Sequence, residues 1–155
     1  MTTLLLGLND LEEAGQLAST LRESGHVVTI EHGAHSALST LKHGWTDALV
    51  CDAVLPDMLS ADLVTAARLL LGRPHFPAVV LCDVPPNARD RLHSLQHVTV
   101  LAAPVTPDHV VGAIAKLRII EAGRERRKAS SRSLGYRRRW DDSDENFEND
   151  SGNQS

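Results

Sequence analysis

Cysteine is scarce: Cys51 and Cys82 are the only two in 155 residues, too few for a disulfide scaffold or a zinc site, and a reducing compartment suits them. Long apolar runs are lacking too. The opening MTTLLLGLND has no basic leader and too short an apolar stretch for a signal peptide. No other stretch approaches the roughly 20 residues that cross a bilayer. The expectation is a cytoplasmic protein with no membrane association. No Gly-rich loop marks a nucleotide site. The eight histidines are scattered, with no cysteine or carboxylate at ligand spacing on a defined element, and read as surface residues.

A uniformly basic surface is also missing. Residues 1–123 carry a net charge of −5, residues 124–139 carry +7 and residues 140–155 carry −6, for a total of −4. A mildly acidic body followed by a basic and then an acidic block is not the footprint of a nucleic-acid-binding domain.

What is present is an alternation of short apolar runs and longer amphipathic ones. TLLLGL (3–8), VVTI (27–30), ALVCD (48–52), AVVLC (78–82) and VTVL (98–101) read as strands, rich in β-branched and aliphatic residues. Between them lie helices. Residues 10–25 repeat apolar side chains at Leu11, Ala14, Leu17, Ala18 and Leu21, with Asn9 or Asp10 as N-cap and Gly25 as stop. Residues 34–44 close on Gly44, residues 60–72 are capped by Ser60, and residues 87–96 follow Pro85-Pro86. The last helix starts at Thr106 as cap with Pro107 in its first turn, where a missing N–H costs nothing.

Strand cores of apolar and largely β-branched residues, without polar alternation, imply a parallel sheet covered on both faces. Chemistry in such a sheet belongs at the C-terminal ends of the strands. That rim gathers Leu8, Asn9 and Asp10 after the first strand, Asp52 at the end of the third, Cys82 and Asp83 after the fourth, and Ala102 and Ala103 after the fifth. Cys51, one residue before Asp52, points to the opposite face and into the core. Gly7, alone in the first strand, suggests close packing of a helix on the sheet.

This order of elements, with Asp52 ending the third strand ahead of AVLPDM, resembles the receiver domain of two-component response regulators, the CheY-like family, over residues 4 to about 122. The resemblance implies a doubly wound α/β fold with five parallel strands in the order 2-1-3-4-5 flanked by five helices. It makes Asp52 the phosphoacceptor candidate, facing a histidine kinase, and Pro56 and Pro104 match the family's prolines. The rest of the family's chemistry departs. The two acids that hold Mg²⁺ correspond to Leu8 and Asn9, with Asp10 one residue farther on and the Val54 carbonyl as a further oxygen, so weak Mg²⁺ binding at Asp52, Asp10 and Val54 is the most this set implies. The strand-4 hydroxyl corresponds to Cys82, the strand-5 aromatic to Val100 and the lysine before the cis proline to Ala103. The resemblance is therefore to a degenerate or pseudo-receiver: not an enzyme, with no cofactor of its own, acting by protein–protein contact. Its docking face would be helix 4, strand 5 and helix 5, including Arg91, with a homodimer through that face as one form. As a remnant, Asp52 would cap the loop that follows it.

The domain ends near residue 123, and 124–155 is expected to be a charged, largely disordered tail. Its basic residues Arg124, Arg126, Arg127, Lys128, Arg137, Arg138 and Arg139, with Trp140, form an arm suited to an acidic protein partner or, less well because of the acidic block that follows, to nucleic acid.

Overall fold

The computed structural model describes residues 2–81 and 86–127. The chain divides into a unit over Met1–Glu121 and a second over Ala122–Ser155, of which the described residues 122–127 are helical. In order, the elements are β1 (Thr3–Gly7), α1 (Leu11–Glu23), β2 (Val27–Glu31), α2 (Ala34–His43), β3 (Ala48–Asp52), α3 (Ser60–Leu71), β4 (Ala78–Leu81), α4 (Pro86–Ser94) and β5 (Val98–Leu101). A further helical stretch, 107–127, is α5. The strands form one parallel sheet in the order β2-β1-β3-β4-β5, as the resemblance implies.

Alternation along each strand explains why the sheet is covered twice. Leu5, Leu49, Cys51, Ala78 and Val80 face the layer of α2, α3 and α4, where Phe76, Leu63 and Leu92 fill the core. Leu4, Leu6, Val50, Val79 and Leu81 face α1 and α5, against Leu21, Ile114 and Leu117. Cys51 thus lies in the core, and burial, with the Asp52 charge behind it, pushes its thiol up to about 12.

The helix ends show which local signals carried. Asp10 caps α1, accepting from the N–H groups of Glu12 and Glu13 at 3.0 and 3.2 Å. Thr106 caps α5 through the His109 N–H at 3.2 Å. Gly25 has φ 94, the left-handed conformation that a residue with a Cβ adopts at a cost. Three expectations need correction. Ser60 is not a cap: it is the first residue of α3 and fully buried, its N–H donates to the Ala53 carbonyl at 3.0 Å, and the cap position is Leu59, held extended. Pro86 begins α4 and does not precede it, which its missing N–H permits. Gly7 does not answer to helix packing, since a Cβ there would meet only Cys51 Cβ on the neighbouring strand, at an ordinary 3.7 Å.

Candidate functional site at the rim of β1 and β3

β1 and β3 are neighbours, in register Leu6 to Val50 and Gly7 to Cys51, so the chain leaving β1 passes directly over the end of β3. Leu8 does not stay at the rim. It is 1% exposed, packed in the α1/α5 core, which removes it from any acidic pocket. Asn9 takes the exposed position and makes two contacts across the rim. Its N–H donates to Asp52 Oδ2 at 2.7 Å, and its carboxamide Nδ2 donates to the Val54 carbonyl at 2.6 Å. The Asp52 carboxylate therefore braces the preceding β1–α1 loop and not the loop after it. Asp10 is close enough to raise the Asp52 pKa by charge, but one of its own oxygens caps α1.

Partial burial raises Asp52 above the ordinary carboxylate value of 3.8, the Asn9 N–H pulls it back, and Asp10 adds to the rise. A raised carboxylate costs folding free energy in its charged form, and that cost is absent below the unfolded pKa and complete once the pH exceeds the folded one. Asp52→Asn is accordingly expected to melt higher than the parent at pH 7, with the difference closing as the pH falls toward 3.8. Melting curves across that range check it, and an Asn variant less stable than the parent at pH 7 would contradict it.

The loop after Asp52 is tied down locally. Val54 bridges to Leu59 in antiparallel fashion, and the Leu55 N–H donates to the Met58 carbonyl at 2.9 Å, closing a turn over Pro56 and Asp57. Asp57 at the tip reaches the start of α2, accepting from the N–H groups of Ala34 (2.8 Å) and His35 (3.0 Å) and lying 2.6 Å from His35 Nδ1. His35 is exposed, as the sequence reading has it, and gains a carboxylate partner only through the fold, because the pairing spans 22 residues. These donors at a helix N-terminus hold Asp57 well below the usual carboxylate range. A lowered carboxylate contributes stability above its unfolded pKa and loses it as pH falls through the folded value. Asp57→Ala should therefore lower Tm at pH 7, with the gap narrowing below pH 3.8. Identical melting at pH 7 would remove Asp57 from the role of tying this loop to α2.

Among the other rim positions, Ala103 and Pro104 are exposed and joined by a cis peptide bond, and Val100 is half-buried against the α2–α4 core. Cys82, Lys128, Arg137, Arg138, Arg139 and Trp140 lie outside the described residues, as does the disorder expected of the tail beyond 127. Arg124, Arg126 and Arg127 are exposed on α5. Arg91 on α4 pairs with Asp62 on α3, so its charge is turned toward the neighbouring helix, which makes it a poor reporter of docking on the face beyond. Among the described residues no group of three or more His, Cys, Asp or Glu side chains is arranged to hold a metal ion, and no helix is long and apolar enough to cross a membrane.

The role of Asn9 was not legible beforehand. A carboxylate can only accept, whereas a carboxamide both donates and accepts. Asn9 Nδ2 is thus a donor aimed at the Val54 carbonyl, a contact that an ionised carboxylate could not make.

No protein-family model matches the chain, and no curated protein sequence does. Solved structures do match. A putative response regulator from Chloroflexus aurantiacus is 25% identical with a TM-score of 0.66, covering 76% of this chain and 98% of its own. A CheY-like response regulator receiver domain protein from Methanospirillum hungatei is 18% identical with a TM-score of 0.70, over 80% of this chain and 98% of its own. The receiver domain of a sensor histidine kinase from Pseudomonas aeruginosa, solved with a magnesium ion coordinated in its active site cleft, is 18% identical with a TM-score of 0.65, over 76% and 97%. The chain has the CheY-like receiver fold.

Proposed function

We propose that this chain is a receiver-type signalling protein that acts by protein–protein contact, is not an enzyme, and works independently of phosphorylation at Asp52. The observation that carries this reading is the double contact of Asn9, which engages Asp52 Oδ2 and the Val54 carbonyl, two of the oxygens a cation at this rim would need. Mg²⁺ prefers an octahedron of hard oxygens, with carboxylates supplying charge. Among the described residues Asp52 is the carboxylate that Asn9 engages, one oxygen of Asp10 is spent on capping α1, and Leu8 is in the core. The residues present do not fit a tight Mg²⁺ site, and any binding at Asp52, Asp10 and Val54 is weak. Phosphoryl transfer depends on electrostatic stabilisation of the charge that develops, and Ala103 has no ammonium to supply it.

The proposed module is a receiver-like domain over 1–123 with a charged segment over 124–155, in the cytoplasm. Its partners are proteins, a histidine kinase or an output protein among them, docking on α4, β5 and α5, and a homodimer through that face is an alternative arrangement. Incubation with acetyl phosphate and Mg²⁺ should add little mass, and Asp52→Asn should leave partner capture unchanged. Stoichiometric acyl phosphate that disappears in the Asn variant, with loss of signalling, would overturn the reading.

A second reading keeps Asp52 as a working phosphoacceptor. It is favoured by the position of this half-buried carboxylate at the C-terminal end of β3, next to the parallel β1 and β4. A third, nucleic-acid association, draws on the exposed Arg124, Arg126 and Arg127, and would show as binding that falls steeply with salt.

A further inference from the structure

We propose that the groove between the C-terminal end of α3 and the loop from α4 to β5 binds a small monocarboxylic acid with an apolar body, of the class of medium-chain fatty acids. Arg68 in its lining bonds the chain just ahead of β4 and β5, so the groove lies at the opposite end of the sheet from Asp52 and does not depend on how that rim is read. It holds about 390 Å³, within the range of roughly 300–1,000 Å³ usual for small-ligand sites. Its lining is mostly carbon. Pro74 and Leu95 line it together with Leu69, which is 79% exposed and so gives the groove an apolar wall open to solvent.

The class of ligand follows from charge. Among the described lining residues Arg68 is the one charged side chain, and no carboxylate is present. Arg68 is half-buried, and it donates through Nε and Nη2 to the Phe76 carbonyl at 3.2 and 3.1 Å and through Nη2 to the His97 carbonyl at 3.1 Å. Those acceptors are neutral, and none of the three bonds uses Nη1. Among the described residues Arg68 forms no ion pair. Glu121, whose charge acts on Arg68, is engaged through both its oxygens by Arg73 at 2.9 and 2.8 Å, so two guanidinia share one carboxylate and the one lining the groove is the one it does not bond. Asp47, at the start of β3, is likewise taken by the Thr3 N–H, the Trp45 indole and Arg118. A partly desolvated guanidinium without a counter-ion favours a carboxylate above a neutral acceptor. The last carbonyls of α3 would oppose an anion, but the Gly72 N–H meets that of Leu69 at 3.3 Å and the Arg73 N–H that of Arg68 at 3.1 Å. Thr65 donates its hydroxyl to the Ala61 carbonyl at 2.8 Å, which leaves Arg68 as the side-chain donor for a ligand. One cationic donor beside an apolar wall suits a single carboxylate with an apolar tail, whereas a polyanion would need several cations.

Octanoate, octylammonium and acetate, each added to the isotope-labelled full chain, separate the charge from the tail. Octanoate should shift the amides of Leu69, Gly72 and Leu95 saturably, while octylammonium and acetate should each bind at least about tenfold more weakly. Leu69→Glu, at an exposed position, should weaken octanoate at least about tenfold, and Arg68→Gln should abolish the preference for octanoate over octylammonium. Equal affinity for octanoate and octylammonium would overturn the proposal, as would acetate binding as tightly as octanoate. So would parental octanoate affinity in Leu69→Glu, or the absence of saturable shifts at the three amides. The comparison of the three probes is made on the parent chain, so it stands whether or not Arg68→Gln folds without its bonds to Phe76 and His97.

Discussion

Asn9→Asp combined with Ala103→Lys is expected to convert a chain that gains little mass from acetyl phosphate into one that forms acyl phosphate at Asp52. The first change removes the donor that engages the Val54 carbonyl at 2.6 Å and replaces it with a second carboxylate beside Asp52. Two adjacent carboxylates, with Asp10 close by, repel one another and are relieved by a divalent cation, so Mg²⁺ affinity should rise by about tenfold or more. Without the metal, the same repulsion should lower the melting temperature of the variant. The second change places an ammonium at the exposed position preceding Pro104, the position at which the receiver resemblance implies a lysine. A charge-assisted contact of that kind contributes about 1.5–3 kcal/mol, or roughly tenfold to a hundredfold in rate. Amide shifts of Asn9's neighbours Asp10, Asp52 and Val54 during Mg²⁺ titration, and intact mass after incubation, read the two steps separately. A double variant with parental Mg²⁺ affinity and no acyl phosphate would mean that the closed rim is not what separates this chain from a working acceptor.

Arg73→Ala is expected to be the most damaging single change away from the rim. Arg73 donates to Glu121 through Nε and Nη2 at 2.9 and 2.8 Å and to the Thr46 carbonyl through Nη1 at 2.7 Å. Its guanidinium also stacks between Trp45 and Phe76, 4.3 and 4.7 Å from the ring centroids. Both charged side chains of the pair are largely buried. Removing one partner strands the other in low dielectric, which typically costs about 3–5 kcal/mol. Two apolar groups of similar shape carry no such penalty, so Arg73→Met with Glu121→Met should recover most of the loss. Urea unfolding of the parent, the single variant and the double variant measures it. A loss below about 1 kcal/mol in Arg73→Ala would show that water reaches Glu121 and that the pair acts as a surface bridge.

Much of the architecture was written in local patterns. Asp10 and Thr106 found their helices because a cap is decided by two or three consecutive residues. The strands at 48–52 and 98–101 fell where β-branched and aliphatic residues are bounded by polar turns. Two-sided burial followed from central strands whose runs, Leu4–Leu6, Ala48–Cys51 and Ala78–Leu81, are apolar, and Cys51 turned into the core because strand side chains alternate. Ser60 was misjudged because its local pattern suits a cap, while the Val54–Leu59 bridge draws the chain inward and buries the hydroxyl in the start of α3.

The site depended on residues far apart in the chain. The contacts from Asn9 to Asp52 and Val54 span 43 and 45 residues, those from Asp57 to α2 span 22 and 23, and Arg73 reaches Glu121 across 48. None of these separations leaves a periodic or capping signal, since nothing local distinguishes an Asn that bonds a distant carbonyl from one that faces water. By itself the sequence determined the order of elements, the two-sided sheet and the place of Asp52 at its rim. Only the tertiary structure decided that Leu8 leaves that rim for the core and that Asn9 closes it, because hydrogen-bond partners are chosen by which strand ends the sheet order brings side by side.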